Sequence, residues 1–464
     1  WCLHTDSNRE PTDYKAVIPN ISSFIDISVK LKLYRSIIEH TEIDFFNICW
    51  YYFLMENKVK YNCLQSLRET GAPVIIVAAV HETEAVVNAC HNNGIIVSAI
   101  CDSEKRKSED LFCGLKVIHT PNLPQHYSKA RFVIASQHIQ ECAEQLTKLG
   151  YNEFYSVLEL LKNYDINEHK HIISQSYMSS RLAVCKKSHE FYFDESKTYM
   201  RSLDVMITTK CSLKCRNCSN LMQYYVDPQH TSREKILLAL DILNENVDYI
   251  SEYRVIGGEP LMNKDWADVV NGISKKNAEA KIFIYTNATI SPKDEQLESF
   301  QGKNVNFTIT DYGKLSRNVD KMMEKLTKYN ISFDRHPAGD WTDCSSIKHH
   351  KRTVSELEEV FKQCCVKYIY TLLHGKIYRC PFIANAANLN AIPDNPANYV
   401  NLLSNKNNIK QQIRRLVKVA KFFPACDFCD GRPYDPSSKL GYDGKGMIPA
   451  GEQVSSPMSY KAYK

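Results

Sequence analysis

Apolar and polar positions change rhythm several times along this chain. Residues 1–70 carry apolar side chains at helical spacing, as in "SVKLKLYRSIIEH" and "WYYFLMENKVKYNCLQSLRE", and predict a mostly helical region. Over 71–165 short apolar runs alternate with amphipathic stretches: "APVIIVAAV", "ETEAVVNACHNNG", "IIVSAICD", then "ARFVIAS", "IQECAEQLTKLG" and "FYSVLELL". Buried β-rich runs separated by helices predict a small parallel α/β sheet. "NYDINEHKHIISQSYMSSR" reads as a linker. Its His169 and His171 have no carboxylate or Cys at ligand spacing and are expected in a solvated loop.

The alternation resumes at about 200. Strands are predicted at "LDVMITT", "YISEYRVIGG", "AKIFIYTN", "VNFTITD" and "ISFDRH". Helices such as "SREKILLALDILNEN", capped by Ser232, and "KDEQLESFQ" lie between them. Five or six βα units with right-handed crossovers curl into a partial barrel over 200–345. Sites in such barrels lie at the C-terminal strand ends. Residues 350–435 read as a helix, a hairpin turning at His374–Gly375, a long polar segment and a basic helix. Residues 436–464, rich in Gly, Pro and Ser, predict an extended tail.

Composition narrows the setting. The chain has 464 residues and 17 cysteines. An odd count spread over a long chain argues against a disulfide framework and for a reducing, cytoplasmic compartment. Cys49, Cys63, Cys90, Cys101, Cys113, Cys142 and Cys185 sit singly among apolar neighbours and read as small buried hydrophobes. The net charge of +5 comes without a basic block, so nothing points to nucleic acid. No stretch reaches the ~18 apolar residues of a membrane span, and the start shows no signal-peptide pattern.

The chemistry concentrates in "MITTKCSLKCRNCSNL". Cys211, Cys215 and Cys218, spaced three and then two apart just after the first barrel strand, differ from the paired C-x2-C knuckles of zinc sites. Three thiolates on a 4Fe–4S cube leave one iron open to chelate a small molecule. "CSLKCRNC" resembles the C-x3-C-x2-C signature of the radical S-adenosylmethionine superfamily. That resemblance implies a fold, a partial (β/α)6 barrel, and a cofactor pair, S-adenosylmethionine with a 4Fe–4S cluster. Asn217 stands where members usually seat adenine on an aromatic residue. "VIGGEP" resembles the family's Gly-Gly-Glu-Pro motif, which implies cofactor binding at Gly257, Gly258, Glu259 and Pro260, with Glu259 accepting from the amino group. Thr286 and Asn287 in "YTNAT" resemble ribose-facing positions. Thr308, Thr310 and Asp311 close the fourth strand and Arg335 the fifth; Asp311 and Arg335 are the catalytic candidates.

A second cysteine group follows. Cys364 and Cys365 adjoin, Gly375 and Cys380 come next, and Cys426 and Cys429 form a C-x2-C; Cys344 is the spare. This resembles the Twitch domain, a shortened SPASM domain, and implies an auxiliary 4Fe–4S cluster with Cys364 preferred over Cys365 as first ligand. Four cysteines in two groups also suit a zinc ribbon. The layout is similar to that of the butirosin-pathway aminocyclitol dehydrogenase. The front region 71–165 resembles the Rossmann-like domain that precedes sugar- and glycan-modifying enzymes. It lacks a glycine-rich phosphate turn, "AAVHET" standing in its place, which argues against a dinucleotide. Nucleotide-sugar recognition and a scaffolding role both remain, and Asp102 suits either a ribose contact or a helix cap.

The expectation is an α/β radical SAM oxidoreductase acting on a carbohydrate-like small molecule, with oxidation of a secondary alcohol to a ketone. A flavodoxin- or ferredoxin-type electron donor, a possible homodimer, and no nucleic-acid or membrane partner complete it. An epimerase, a peptide-modifying maturase and a zinc-binding scaffold are the alternatives.

Overall fold

The structure, a computed structural model, describes residues 59–69, 71–103, 111–173, 175–194, 196–277, 280–404, 407–433 and 442–463. The helical reading of 1–70 therefore falls almost wholly outside the described residues, as does Cys49. The chain divides into two compact units, Thr5–His189 and Glu190–Lys464 with Trp1–His4. Among the described residues no helix is long and apolar enough to cross a membrane.

The first unit is built on a seven-stranded sheet. Its strands are β1 (Val59–Lys60), β2 (Val74–Val77), β3 (Val97–Asp102), β4 (Leu111–Phe112), β5 (Leu115–His119), β6 (Arg131–Ile134) and β7 (Phe154–Ser156), in the order β1-β7-β6-β2-β3-β5-β4. All pairs are parallel except β4 with β5. β2 and β6 are buried along their whole length, which is why they read as unbroken apolar runs. Strand order reverses at β2, where open α/β sheets commonly bind ligands. Here the helix Gln175–Phe193 lies against that edge: Ser188 Oγ donates to Gln137 O at 2.5 Å, His189 Nε2 lies 3.0 Å from Ser136 O, and Cys185 Sγ reaches Ala135 O at 3.6 Å.

Three expectations change in this unit. Asp102 is buried and its Oδ2 accepts from Ala79 N at 2.7 Å. It braces the turn after β2, where Ala78 holds a left-handed φ of 82°. His171 is not in a solvated loop; its side chain is 1% exposed and lies 3.5 Å from Glu84, while His169 stacks on Tyr164. Both pack back on the unit because each ring buries apolar surface there. Of the scattered cysteines, Cys63, Cys90, Cys101 and Cys185 are fully buried as expected, whereas Cys113 and Cys142 are partly exposed.

The second unit carries an eight-stranded sheet: β8 (Tyr199–Thr208), β9 (Tyr249–Gly257), β10 (Lys281–Thr286), β11 (Val305–Asp311), β12 (Ser332–Pro337), β14 (Ile369–Leu373), β15 (Lys376–Tyr378) and β16 (Tyr399–Asn401). The order is β12-β11-β10-β9-β8-β14-β15-β16. The five strands expected from periodicity are present and parallel. A sixth parallel strand comes from the hairpin placed by sequence in the 350–435 region: Ile369–Leu372 pair with Ser202–Val205 of β8. This makes six parallel strands, as in a partial (β/α)6 barrel. The hairpin turns through His374 and Gly375, both at positive φ, the conformation tight two-residue turns require. Behind the sheet Trp266 packs edge-on against Phe300 and Phe307 and is 2% exposed; each such aromatic pair adds about 0.5–1.5 kcal/mol beyond area burial. β13 (Asp340–Thr342) pairs with β17 (Met447–Pro449). The described part of the tail, 442–463, is thus tied to the segment that follows β12.

Candidate active site

The loop after β8 carries Cys211, Cys215 and Cys218. It is stitched to the loop after β9 by two backbone bonds, Gly258 N to Thr208 O at 3.0 Å and Glu259 N to Lys210 O at 2.8 Å. A Cβ on Gly257 would collide with the Thr208 carbonyl, and one on Gly258 with the Lys210 carbonyl and Cys211. The glycines therefore let two strand ends touch.

Glu259 lies in the same seam. It is completely buried, and its carboxylate accepts from Asn287 N at 2.8 Å, Thr286 Oγ1 at 2.9 Å and Leu261 N at 3.1 Å. With three acceptor positions taken, it clamps the ends of β9 and β10. Burial pushes its pKa up to about 7 despite those donors. Pro260 opens the short 3-10 turn Pro260–Met262 and is buried. Thr286, 4% exposed, donates to Glu259 and accepts from Ala288 N.

Asn287 does reach the cysteines. Its Nδ2 donates toward Cys211 Sγ at 3.7 Å and to Ser212 Oγ at 3.1 Å, while its Oδ1 accepts from Thr289 N and Oγ1. Burial raises the Cys211 thiol, with Cys218 and Cys215 adding to the rise; the three thiols thus stand within electrostatic reach of one another. Burial likewise pushes Cys215 up to about 11, opposed by a hydrogen bond from Gln453. That bond, Gln453 Nε2 to Cys215 Sγ at 3.2 Å, comes from the tail. Lys214 N donates to Gln453 Oε1, Arg216 N to Glu452 O and Val454 N to Lys214 O, so residues 452–454 line the cysteine loop like a short strand. Tyr312 completes the rim. Its phenol is raised by burial and then by Cys215, Cys218 and Cys211, and its ring packs on Trp341 and Gly451. Asn217 is partly buried.

Asp311 and Arg335 come together, but with each other. Arg335 Nη2 and Nε donate to Asp311 Oδ2 at 2.6 and 3.0 Å, and the guanidinium is 45% exposed on the edge strand β12. The Arg335 hydrogen bond holds the Asp311 carboxyl below its usual range, which makes it a weak base. Among the described residues no hydrogen bond or ion pair joins either side chain to the cysteine loop; the two form an ion pair at the rim. Thr308 and Thr310 are partly exposed on the same face of β11. That face continues a polar row across the sheet: Arg254 Nε lies 3.0 Å from Asp204 Oδ1, and the guanidinium sits 4.7 Å above the Tyr285 ring.

The second cysteine group forms a cavity. Cys364 ends the helix Val354–Gln363, Cys380 precedes the helix Pro381–Asn388, and Cys426 and Cys429 flank the turn Pro424–Phe428. These four thiols wall one pocket together with Phe361 and Arg432. Cys365 is not part of the wall; its backbone N–H bonds Arg432 O at 2.7 Å. Among the described residues no three His, Cys, Asp or Glu side chains gather as a single-ion site. The four thiols surround a space and do not meet at one point.

Residues 205–336 match the model of the Radical SAM superfamily. The barrel segment is a radical SAM domain. Such a domain implies an enzyme that uses S-adenosylmethionine and a 4Fe–4S cluster. GTP 3',8-cyclase of Haemophilus ducreyi is 30% identical over 107 residues, 23% of this chain and 30% of that protein, so the chain spans less than a third of that relative. Among solved structures, BtrN in complex with AdoMet and 2-DOIA is 14% identical, covering 57% of this chain and 99% of BtrN at a TM-score of 0.33. SuiB of Streptococcus suis bound to precursor peptide SuiA is 12% identical, covering 67% of this chain and 86% of SuiB at a TM-score of 0.31. At these scores neither likeness bears on substrate or reaction.

Gln453, Tyr312, Ser212 and Arg432 escaped the sequence reading. Gln453 lies 238 residues from Cys215, too far for any spacing rule. Arg432, three residues past Cys429 in "CDFCDGR", carried a local signal in its proximity to the C-x2-C.

Proposed function

We propose that this chain is a radical SAM oxidoreductase that removes hydrogen from a carbohydrate-like substrate and oxidises a secondary alcohol to a ketone. Cys211, Cys215 and Cys218 would hold a 4Fe–4S cluster with an open iron, and Cys364, Cys380, Cys426 and Cys429 an auxiliary 4Fe–4S cluster. Bound there, the two groups would supply reductive cleavage of S-adenosylmethionine to a 5'-deoxyadenosyl radical and a one-electron acceptor.

The residues present fit both. The observation that carries the reading is the pair of amide donors, Asn287 and Gln453, aimed at Cys211 and Cys215. N–H donors stabilise thiolate sulfur, the form iron binds, and set cluster potential. For the second site, four thiols walling a pocket suit a cube, whose ligands stand at its corners. Zinc would need its sulfurs about 2.3 Å from one centre. Around the first loop, Glu259 and Thr286 fix the strand ends, and the buried glycine contacts keep the cysteines against β9. Tyr312 and Trp341 pack edge-on at the rim. The polar row of Asp204, Arg254, Tyr285 and Thr308 offers hydrogen-bonding groups of the kind a hydroxyl-rich substrate requires. A flavodoxin- or ferredoxin-type protein would supply the electron and take back the one released.

Anaerobic reconstitution tests this. About eight irons and eight sulfides per chain are expected, with 5'-deoxyadenosine formed in step with a keto product. Recovery of an epimerised alcohol would overturn the oxidation, and zinc without sulfide would overturn the reading altogether.

A further inference from the structure

Arg432 is the side chain that both cysteine groups share. It is 6% exposed. Its Nη2 donates to Ser219 O at 2.5 Å, one residue beyond Cys218, and the side chain also lines the pocket of Cys364, Cys380, Cys426 and Cys429. Among the described residues it has no carboxylate partner, and its Nε is buried without a hydrogen bond. The nearby carboxylates are engaged elsewhere: Asp204 with Arg254, and Asp430 with Ser346 and His350.

A buried cation without a counter-ion is costly, and the groups facing it here are thiols. Thiolates ligating iron leave each cluster with net negative charge, which would supply the missing partner. We infer that Arg432 is a counter-ion common to both cluster sites, positioned to favour the reduced, more negative state of each and so to raise both reduction potentials together. Its backbone reinforces the link: Cys365 N bonds Arg432 O, and Cys364 bridges to Pro433. The inference rests on the two-cluster reading above and adds a residue that the cysteine patterns do not contain. Arg432 touches neither thiolate as a ligand; it is a positioning residue acting through charge.

The test is an EPR-monitored potentiometric titration of the reconstituted full chain, for the unaltered protein, Arg432→Met and Arg432→Lys. Arg432→Met should keep full iron and sulfide while both midpoint potentials fall by at least tenfold in the one-electron equilibrium, about 59 mV. Arg432→Lys, which keeps the charge, should restore most of the shift. If Arg432→Met fails to load, Arg432→Gln, which preserves a donor toward Ser219, is read in its place. Unchanged potentials in the neutral variant, a shift at one cluster alone, or equal shifts in the Lys and Met variants would overturn the inference. Failure of the two-cluster reading itself would show earlier and separately, as half the iron in the unaltered protein.

Discussion

The two cysteine groups are held by opposite means. Cys211, Cys215 and Cys218 sit on a loop that has little structure of its own. Three distant segments hold it in place: the glycine loop after β9, Asn287 after β10, and the tail at 452–454. Cys364, Cys380, Cys426 and Cys429 sit at the ends of rigid elements, a helix, a hairpin and a tight turn, and face inward on a pocket. A site that must admit a small molecule needs a loop braced from outside; a site closed by protein needs ligands fixed from within.

Substituting the cysteines should break this contrast most sharply. Cys215→Ala should halve the iron and abolish 5'-deoxyadenosine formation. Cys364→Ala should halve the iron yet leave cleavage of S-adenosylmethionine measurable, with the keto product lost; anaerobic iron assays and product analysis read both. Cys365→Ala, outside the pocket wall, should keep about eight irons, and loss of four would reverse the choice between the neighbours.

The clamp comes next. Glu259→Ala would leave three buried or partly buried donors unpaired, each costing about 1–3 kcal/mol, and urea unfolding of the apo chain should show at least about 3 kcal/mol lost. The same carboxyl gives a pH signature. Burial raises it to about 7 from an ordinary 4.5, so the native state binds the proton more tightly than the unfolded chain. Its contribution is full below the unfolded value and is lost as pH rises toward 7; Glu259→Gln should flatten that slope. A smaller effect is expected of Gln453→Leu, which removes one N–H···S bond: iron retained, and the first cluster's potential lowered with the second unmoved. The smallest is Asp311→Asn, a rim ion pair worth about 0–1 kcal/mol, with product formation unchanged within about twofold.

Much of this was legible in the chain because the signals are local. The β-branched runs of β8 to β12 and the Cys211–Cys218 spacing are each contained in about ten residues, and the fold class followed from them. The rest depends on pairing across long separations. Nothing in "YIYTLLHGKIY" says that its first half will lie parallel to β8, since a hairpin's outer partner is chosen by the sheet and not by the turn. Asp102, Glu259 and Asp311 each accept from donors that no spacing rule shows, because a carboxylate at a strand end is surrounded by backbone N–H groups that need an acceptor. His171 was read as wet because polar neighbours surround it in sequence, whereas its burial comes from the helix His81–Asn92.

The seam between Cys215 and Gln453 has a consequence for biogenesis. Ribosomes make the thiols 238 residues before the strand that covers them, so during synthesis the trio has neither its amide donor nor its cover. Until that segment emerges and docks, the sulfurs are open to oxidants and to stray metal, and loading of iron is best timed to follow translation.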